Sequence, residues 1–132
     1  MINSAYENKD ENCAFCKIQS SAIAENSMAI AFEDKYPIAK YHTLITPRRH
    51  TPSFFDLGTY ERKACLLLLD EVRQLVMRKD KTVTGFNVGF NDGEDAGQTI
   101  FHSHIHVIPR RRGDVSNPSG GIRNIMESNS KY

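Results

Sequence analysis

The chain lacks several features that would place it in a membrane, outside the cell or on a nucleic acid. No apolar run reaches the roughly 18 residues that a membrane-spanning helix requires. The N-terminal residues are polar, with no apolar segment leading to a cleavage site, which argues against secretion. The 17 basic and 16 acidic residues nearly cancel, so no broad positive surface for nucleic acid is expected. We therefore expect a cytoplasmic protein without a membrane or nucleic-acid partner.

Cysteine is scarce, and its number is odd. Three cysteines cannot all pair in disulfides within one chain, and Cys13 and Cys16 are separated by only two residues. This spacing is typical of metal or redox sites, and reduced thiols fit the cytoplasm. A thioredoxin-like redox pair would stand at a strand-to-helix junction of a βαβ unit, and the pattern of elements predicts no such unit. A closed zinc site would need two further ligands.

Three histidines near the C-terminus, His102, His104 and His106, alternate with other residues. Because successive side chains of a strand point to opposite faces, a strand here would hold all three imidazoles in one row. The other face would be mostly apolar and consist of Phe101, Ser103, Ile105 and Val107. A solvated histidine-rich tract that binds metal adventitiously usually lacks such a packing face. The row is therefore the candidate reaction centre.

The loop before the histidines combines turn signals with polar side chains. Residues 91–93 read Asn-Asp-Gly, residues 96–97 read Ala-Gly, and Gln98 and Thr99 follow. Glycines let a phosphate approach the backbone closely, and backbone N–H groups can bind it. Ordinary turns contain the same glycine pattern, so the prediction of a phosphate site depends on the position of this loop beside the histidine row.

The rest of the pattern predicts an α+β domain, in which an antiparallel sheet carries one long helix. The helix is predicted from Thr59, as its N-cap, to Lys79, with apolar residues at three- and four-residue steps. These residues are Cys65, Leu68, Leu69, Val72, Leu75 and Val76. The predicted strands cover residues 27–33, 42–46, 84–90 and 99–108, with a turn at 34–40. Residues 13–126 would form the domain, with flexible ends at 1–12 and 127–132.

Together these motifs resemble the histidine triad (HIT) family of nucleotide hydrolases and transferases. The resemblance extends from residue 13 to residue 125, and the pattern is most similar to the bacterial branch related to diadenosine polyphosphate hydrolases. The motifs that carry it are Cys13–Cys16, Phe32–Asp34, Pro37, His42–Ile45, Pro47–His50, Asn91–Gly93, Ala96–Thr99, the row of His102, His104 and His106, Ile108–Arg110, Gly113–Asp114 and Gly120–Arg123. The chain departs from the family pattern at Ser103, where an apolar residue is usual, and at Lys40-Tyr41-His42, which replaces Pro-Gly-His.

The resemblance implies a reaction and a set of residues for it. His104 would attack the α-phosphorus of a nucleotide and form a covalent nucleotidyl-histidine, and His106 would assist the leaving group. Substrate contacts would come from Asp34, at the ribose hydroxyls, and from four residues at the phosphate oxygens. These four residues are Asn91, Gly97, Gln98 and Thr99. His42 would be a supporting residue, and the family also implies a homodimer.

Zinc-bearing members of the family further imply that His50 and His102 complete a Cys2His2 site with Cys13 and Cys16. Four protein ligands leave no position for substrate, so this zinc would be structural. It would tie the N-terminal segment to the strand that carries the nucleophile.

Two other classes of function are compatible with the sequence. One is different nucleotidyl chemistry at the same site, either a nucleoside phosphoramidase or a transferase with an acceptor other than water. The other is a zinc-stabilised nucleotide-binding module without turnover, against which the nearly complete set of polar residues argues. Arg110, Arg111 and Arg112 could meet a longer polyphosphate, but the pattern favours a solvated basic run.

Overall fold

The computed structural model describes residues 9–18 and 21–126 as an antiparallel sheet of five strands with a long helix on one face. The strands are β1 (Ala22–Glu25), β2 (Ala29–Glu33), β3 (Thr43–Pro47), β4 (Val83–Gly89) and β5 (Ile105–Arg111), and the helix is α1 (Thr59–Lys79). Their order in the sheet is β1-β2-β3-β5-β4. The predicted α+β fold is confirmed. The predicted flexible ends lie outside the described residues, apart from residues 9–12.

Helix α1 has the bounds that the apolar repeat predicts. Its buried stripe packs on β1, β2 and β3, and full burial of one side chain such as Leu68 stabilises the fold by about 2 kcal/mol. The prediction of Thr59 as N-cap is wrong, because Gly58 holds that position and donates its N–H to the Glu61 carboxylate at 2.9 Å. In the part of the chain that the structure describes, no helix is long and apolar enough to cross a membrane.

Strand β5 begins at Ile105, later than predicted, so His102 and His104 precede the regular strand. The ladder between β3 and β5 pairs Ile45 with Ile105 and does not continue to Pro47. Proline has no N–H to donate, and the Pro47 carbonyl instead accepts a hydrogen bond from the His102 side chain. The prediction that Phe101 packs inward is also wrong, since this ring is 47% exposed.

The turn between β2 and β3 contains one departure from the family pattern. Tyr41 adopts a φ of 71°, a left-handed conformation that glycine adopts with little strain. For a tyrosine this conformation costs on the order of 1 kcal/mol. The ring lies 5.2 Å from the Lys40 ammonium and 5.6 Å from that of Lys79. The turn closes where the His42 carbonyl accepts the N–H of Asp34 at 2.9 Å, which fixes His42 at the start of β3.

Sequence reasoning missed two N-terminal elements. Strand β1 has only four residues, and a short 3-10 turn covers Ala14–Lys17. Both are too short to show a clear apolar period. The turn matters for the site, because it carries Cys16 and Phe15 towards the histidines.

Candidate active site

His102 is fully buried and is held by a hydrogen bond of its side chain. Its Nε2–H donates to the Pro47 carbonyl at 2.7 Å, so the proton is on Nε2 and Nδ1 keeps its lone pair. Nδ1 lies 3.6 Å from Sγ of Cys13 and 3.5 Å from Sγ of Cys16. Burial lowers the pKa of His102 to about 4, so the ring is neutral at physiological pH. It therefore presents a metal-binding nitrogen to two thiols.

The fourth predicted ligand, His50, completes a compact donor set. Its Nδ1 lies 3.4 Å from Sγ of Cys16, and the ligand atoms of Cys13, Cys16, His50 and His102 all lie within 4.8 Å of one another. Zinc–sulfur and zinc–nitrogen bond lengths in a tetrahedron would separate S and N by about 3.6 Å, close to these spacings. Burial raises the pKa of the Cys16 thiol, so a bound cation would have to displace its proton. The donors and their spacing fit zinc.

His104 follows His102 and is oriented by it. The Nδ1–H of His104 donates to the backbone carbonyl of His102 at 2.9 Å, and a carbonyl can only accept. In the neutral ring the lone pair is therefore on Nε2, the form that a nucleophile requires. Phe15 packs its ring edge-on against His104 with centroids 5.0 Å apart, and against Phe32 at 5.3 Å. Sequence reasoning had assigned Phe15 no separate role.

His106 is the opposite tautomer to His104, as a series of hydrogen bonds shows. The backbone N–H of Ile38 donates to Nδ1 of His42 at 3.2 Å, so the proton of a neutral His42 is on Nε2. That nitrogen lies 2.9 Å from Nδ1 of His106, which must accept and so carries its own proton on Nε2. Burial lowers the pKa of both rings, that of His106 to about 4, so both are neutral at neutral pH. His106 thus presents an N–H donor beside the His104 lone pair, with ring centroids 5.1 Å apart.

Asp34 lies next to this series of hydrogen bonds, and its carboxylate is 4.0 Å from Nδ1 of His106. Its Oδ1 accepts the Tyr36 N–H at 2.9 Å, as a turn aspartate does, and its Oδ2 lies 3.4 Å from Nε2 of His42. The side chain also lines a cleft of about 440 Å³, together with His106 and Asn91. The structure therefore brings the predicted ribose ligand, one predicted phosphate ligand and His106 to one cleft.

The loop after β4 is held together by Gln98, which corrects the predicted role of this side chain. Gln98 is buried, its Oε1 accepts the Gly93 N–H at 2.8 Å, and its Nε2 donates to the carbonyls of Pro52 and Ile100. Both amide hydrogens are used within the protein, so the side chain shapes the loop and has no donor left for phosphate. Gly97 has a φ of 92°, which glycine accommodates without strain.

The other predicted phosphate ligands, Asn91, Gly97 and Thr99, are exposed on this same loop. Asp92, which sequence reasoning did not select, anchors the loop from its other side. Its carboxylate accepts the Ser53 hydroxyl at 3.1 Å and the Phe54 N–H at 2.9 Å. The partners of Asp92 are far away in sequence, so no local signal could have identified this role.

Two of the three arginines after the histidines, Arg110 and Arg111, form ion pairs with acidic residues. Arg110 forms a bidentate contact with Asp114, at 2.8 and 2.9 Å, and its Nη1 donates to Asn87. Arg111 pairs with Asp80 at 3.0 Å. These pairs offset the basic charge locally, and the prediction of a solvated run is wrong for Arg110 and Arg111, whose side chains are only 25% and 20% exposed.

Comparisons with known proteins agree with this geometry. A family model described as the HIT domain matches residues 16–113. The chain belongs to the HIT family. An uncharacterised HIT-like protein of Mycoplasma genitalium is 36% identical over 109 residues, which cover 79% of this chain and 77% of that protein. An asymmetrical bis(5′-nucleosyl)-tetraphosphatase of Schizosaccharomyces pombe is 34% identical over 99 residues, which cover 75% of this chain and 54% of the relative.

A solved structure of a HIT family protein from Bacillus anthracis superimposes on this HIT protein with a TM-score of 0.71 and 33% identity. The match covers 78% of this chain and 76% of that one. Sequence and fold therefore place the chain in a family of nucleotide-binding and nucleotide-hydrolysing proteins.

Proposed function

We propose that this HIT protein is a nucleotide hydrolase that cleaves an α-phosphate linkage of dinucleoside polyphosphates or related nucleotide conjugates. The observation that carries the proposal is the pair of opposite tautomers at His104 and His106. One neutral imidazole presents a lone pair and its neighbour presents an N–H, which is the pairing that a displacement at phosphorus requires.

In the first step of the proposed reaction, Nε2 of His104 attacks the α-phosphorus. A P–N bond forms and the bond from phosphorus to the bridging oxygen breaks. The Nε2–H of His106 donates a hydrogen bond to the departing oxygen as negative charge develops on it. Asn91, the Gly97 backbone and Thr99 bind the non-bridging oxygens, whose charge is redistributed in the transition state.

In the second step, water attacks the phosphorus of the nucleotidyl-histidine. Its oxygen forms a new P–O bond, the P–N bond breaks, and the electron pair returns to Nε2 of His104. The attacking water loses one proton to the solvent, and a nucleoside monophosphate leaves. Two displacements with a good nucleophile replace one difficult displacement by water.

The proposal is tested with a panel of substrates compared by kcat/KM: dinucleoside polyphosphates, nucleoside phosphoramidates and nucleoside diphosphate sugars. We expect the dinucleoside polyphosphates to be cleaved best. A higher kcat/KM for phosphoramidates would make the protein a phosphoramidase, and tight binding without cleavage of any compound would make it a binding module.

Asp34 is proposed to contribute to substrate binding and Asn91 to transition-state stabilisation, so their substitution should affect different kinetic constants. Asp34→Ala removes ribose binding that is similar in ground and transition states, so it should mainly raise KM and erase the preference for ribo- over 2′-deoxyribonucleotides. Asn91→Ala should mainly lower kcat, by about tenfold for each 1.4 kcal/mol of lost transition-state stabilisation. If Asp34→Ala kept the full ribose preference in steady-state kinetics, the carboxylate would be a turn residue alone.

We further propose that Cys13, Cys16, His50 and His102 hold a structural zinc. When bound, it would only cross-link the N-terminal segment to the segment just before the nucleophile, because four protein ligands fill a tetrahedral zinc. The free cysteines fit the reducing cytoplasm that we propose as its location. A homodimer is inferred from the family.

A further inference from the structure

Asp10, which sequence reasoning did not select, contacts three of the four proposed zinc ligands. Its carbonyl accepts the N–H of Cys13 at 3.0 Å, and its own N–H donates to Sγ of Cys16 at 3.3 Å. Its carboxylate oxygen Oδ2 lies 3.9 Å from Nε2 of His50, an ion-pair distance. Asp10 therefore joins the turn that carries the two cysteines to the segment that follows β3.

The backbone of Asp10 prepares Cys16 for a metal, and a short turn holds its carboxylate in place. An N–H···S hydrogen bond stabilises the thiolate, which is the form of cysteine that binds a metal. Oδ1 of Asp10 accepts the N–H of Asn12 at 2.9 Å, as in an Asx turn. With Oδ1 bound in this way, Oδ2 is the oxygen that faces His50.

The ring of His50 is turned so that its second nitrogen meets this oxygen. Nδ1 of His50 lies on the side of the thiols, 3.4 Å from Sγ of Cys16. A neutral histidine that ligates a metal through Nδ1 carries its proton on Nε2, and Nε2 of His50 faces Asp10. His102 has the same arrangement, since its Nε2–H donates to the Pro47 carbonyl. Both proposed histidine ligands thus direct Nε2 at a protein oxygen.

An acceptor at the second nitrogen affects how well a histidine binds a metal. It fixes the orientation of the ring and makes the ligating nitrogen more basic, and its loss typically weakens metal binding by 10- to 100-fold. The side chains of His50 and Asp10 are 21% and 47% exposed, so water screens part of their attraction. We therefore expect an effect near the lower end of this range.

We propose that Asp10 is a positioning residue for the metal, whose carboxylate orients His50 through Nε2–H and raises the affinity of the cluster for zinc. The inference rests on the proposed zinc site and is independent of the proposed hydrolase reaction. It gives a role to a residue in the N-terminal segment that the sequence predicts to be flexible. Metal binding and the docking of this segment are then coupled through one side chain.

Titration of the metal-free chain with Zn²⁺, in competition with a chelating dye of known affinity, tests this assignment. Asp10→Asn should raise the dissociation constant for zinc by about tenfold. An amide has one oxygen, so either the Asn12 N–H or the His50 Nε2–H loses its acceptor, and asparagine favours the turn at Asn12. Because the turn is kept, the Tm of the metal-free variant should equal that of the metal-free wild type.

Glu11→Gln is the matched control. Glu11 is exposed and lines the same open cavity of about 740 Å³ as Asp10, Cys16 and His50, so its substitution removes an equal charge from the neighbouring position. We expect its dissociation constant for zinc to stay within about twofold of the wild-type value, because the long-range effect of one exposed charge is screened.

Three results would overturn the role of Asp10 while leaving the zinc site in place. They are an unchanged zinc affinity in Asp10→Asn, an equal loss of affinity in Glu11→Gln, and a lower Tm of metal-free Asp10→Asn, which would make Asp10 a structural residue. A wild-type chain that binds no Zn²⁺ would overturn the zinc site, and the role of Asp10 with it. None of these results bears on the proposed hydrolase, which the substrate panel tests separately.

Discussion

Replacing His104 by alanine is expected to lower kcat for dinucleoside polyphosphates by at least about a thousandfold. The variant has no group that can form the P–N bond, and His106 cannot substitute, because its Nδ1 is occupied by His42 and its Nε2 carries the proton. Only direct attack by water on a bound substrate would remain. Steady-state kinetics measures the loss, and thermal unfolding checks that the variant is folded.

Ser103→Ala is the matched control for this variant. Ser103 is adjacent to His104 and also buried. It is anchored by its backbone N–H, which donates to the Thr51 carbonyl at 2.7 Å and is retained in alanine. We expect kcat within about twofold of the wild-type value, since removing one hydroxyl outside the site changes no transition-state contact. Near wild-type kcat in His104→Ala would place the nucleophile elsewhere.

Removing the proposed zinc is expected to lower the thermal stability of the protein strongly. Protein prepared without chelators should contain close to one zinc per chain by elemental analysis. Structural zinc sites bind with apparent free energies of about 10 kcal/mol or more, so a strong chelator should lower the Tm by more than about 10 °C. Activity at mild temperature should fall less, because the proposed reaction has no step at the metal.

Two cysteine variants separate this effect from a general loss of stability. Cys16→Ser should lose the zinc and reproduce the low Tm of the chelated protein. Cys65→Ala should keep the zinc, because Cys65 lies on the buried face of α1 and is not part of the cluster. Protein without zinc, or with equal zinc in wild type and Cys16→Ser, would contradict the site. A requirement of added zinc for turnover would instead point to a catalytic metal.

Elements with a long, regular pattern could be predicted from the sequence. The apolar repeat from Cys65 to Val76 predicts the 21-residue helix α1, although its N-cap is Gly58 and not Thr59. Strands β2, β3 and β4 are predicted within one or two residues. The start of β5 could not be predicted, because it depends on the carbonyl of Pro47 on a neighbouring strand.

In the candidate site, too, the local sequence pattern predicts some features, while others depend on contacts with distant residues. The alternating histidines indicate the reaction centre, but their tautomers depend on the carbonyl of His102 and on the Ile38 N–H. The resemblance supplies His50 as a companion of the cysteines, and the structure brings these residues together, while the zinc itself stays a prediction. The resemblance assigns Gln98 to the phosphate, whereas in the structure its side-chain amide bonds to Gly93, Ile100 and the sequence-remote Pro52.

The hydrogen bonds of the Gln98 side chain also affect the association rate and the affinity of a ligand. The loop that carries Asn91 and Thr99 is closed by three hydrogen bonds of one buried amide. Because these bonds hold its backbone before a nucleotide arrives, association should incur little loss of conformational entropy in this segment and should need no slow loop closure. The proposed phosphate-binding loop should therefore act as a rigid receptor, and differences in affinity among nucleotides should arise mainly from their dissociation rates.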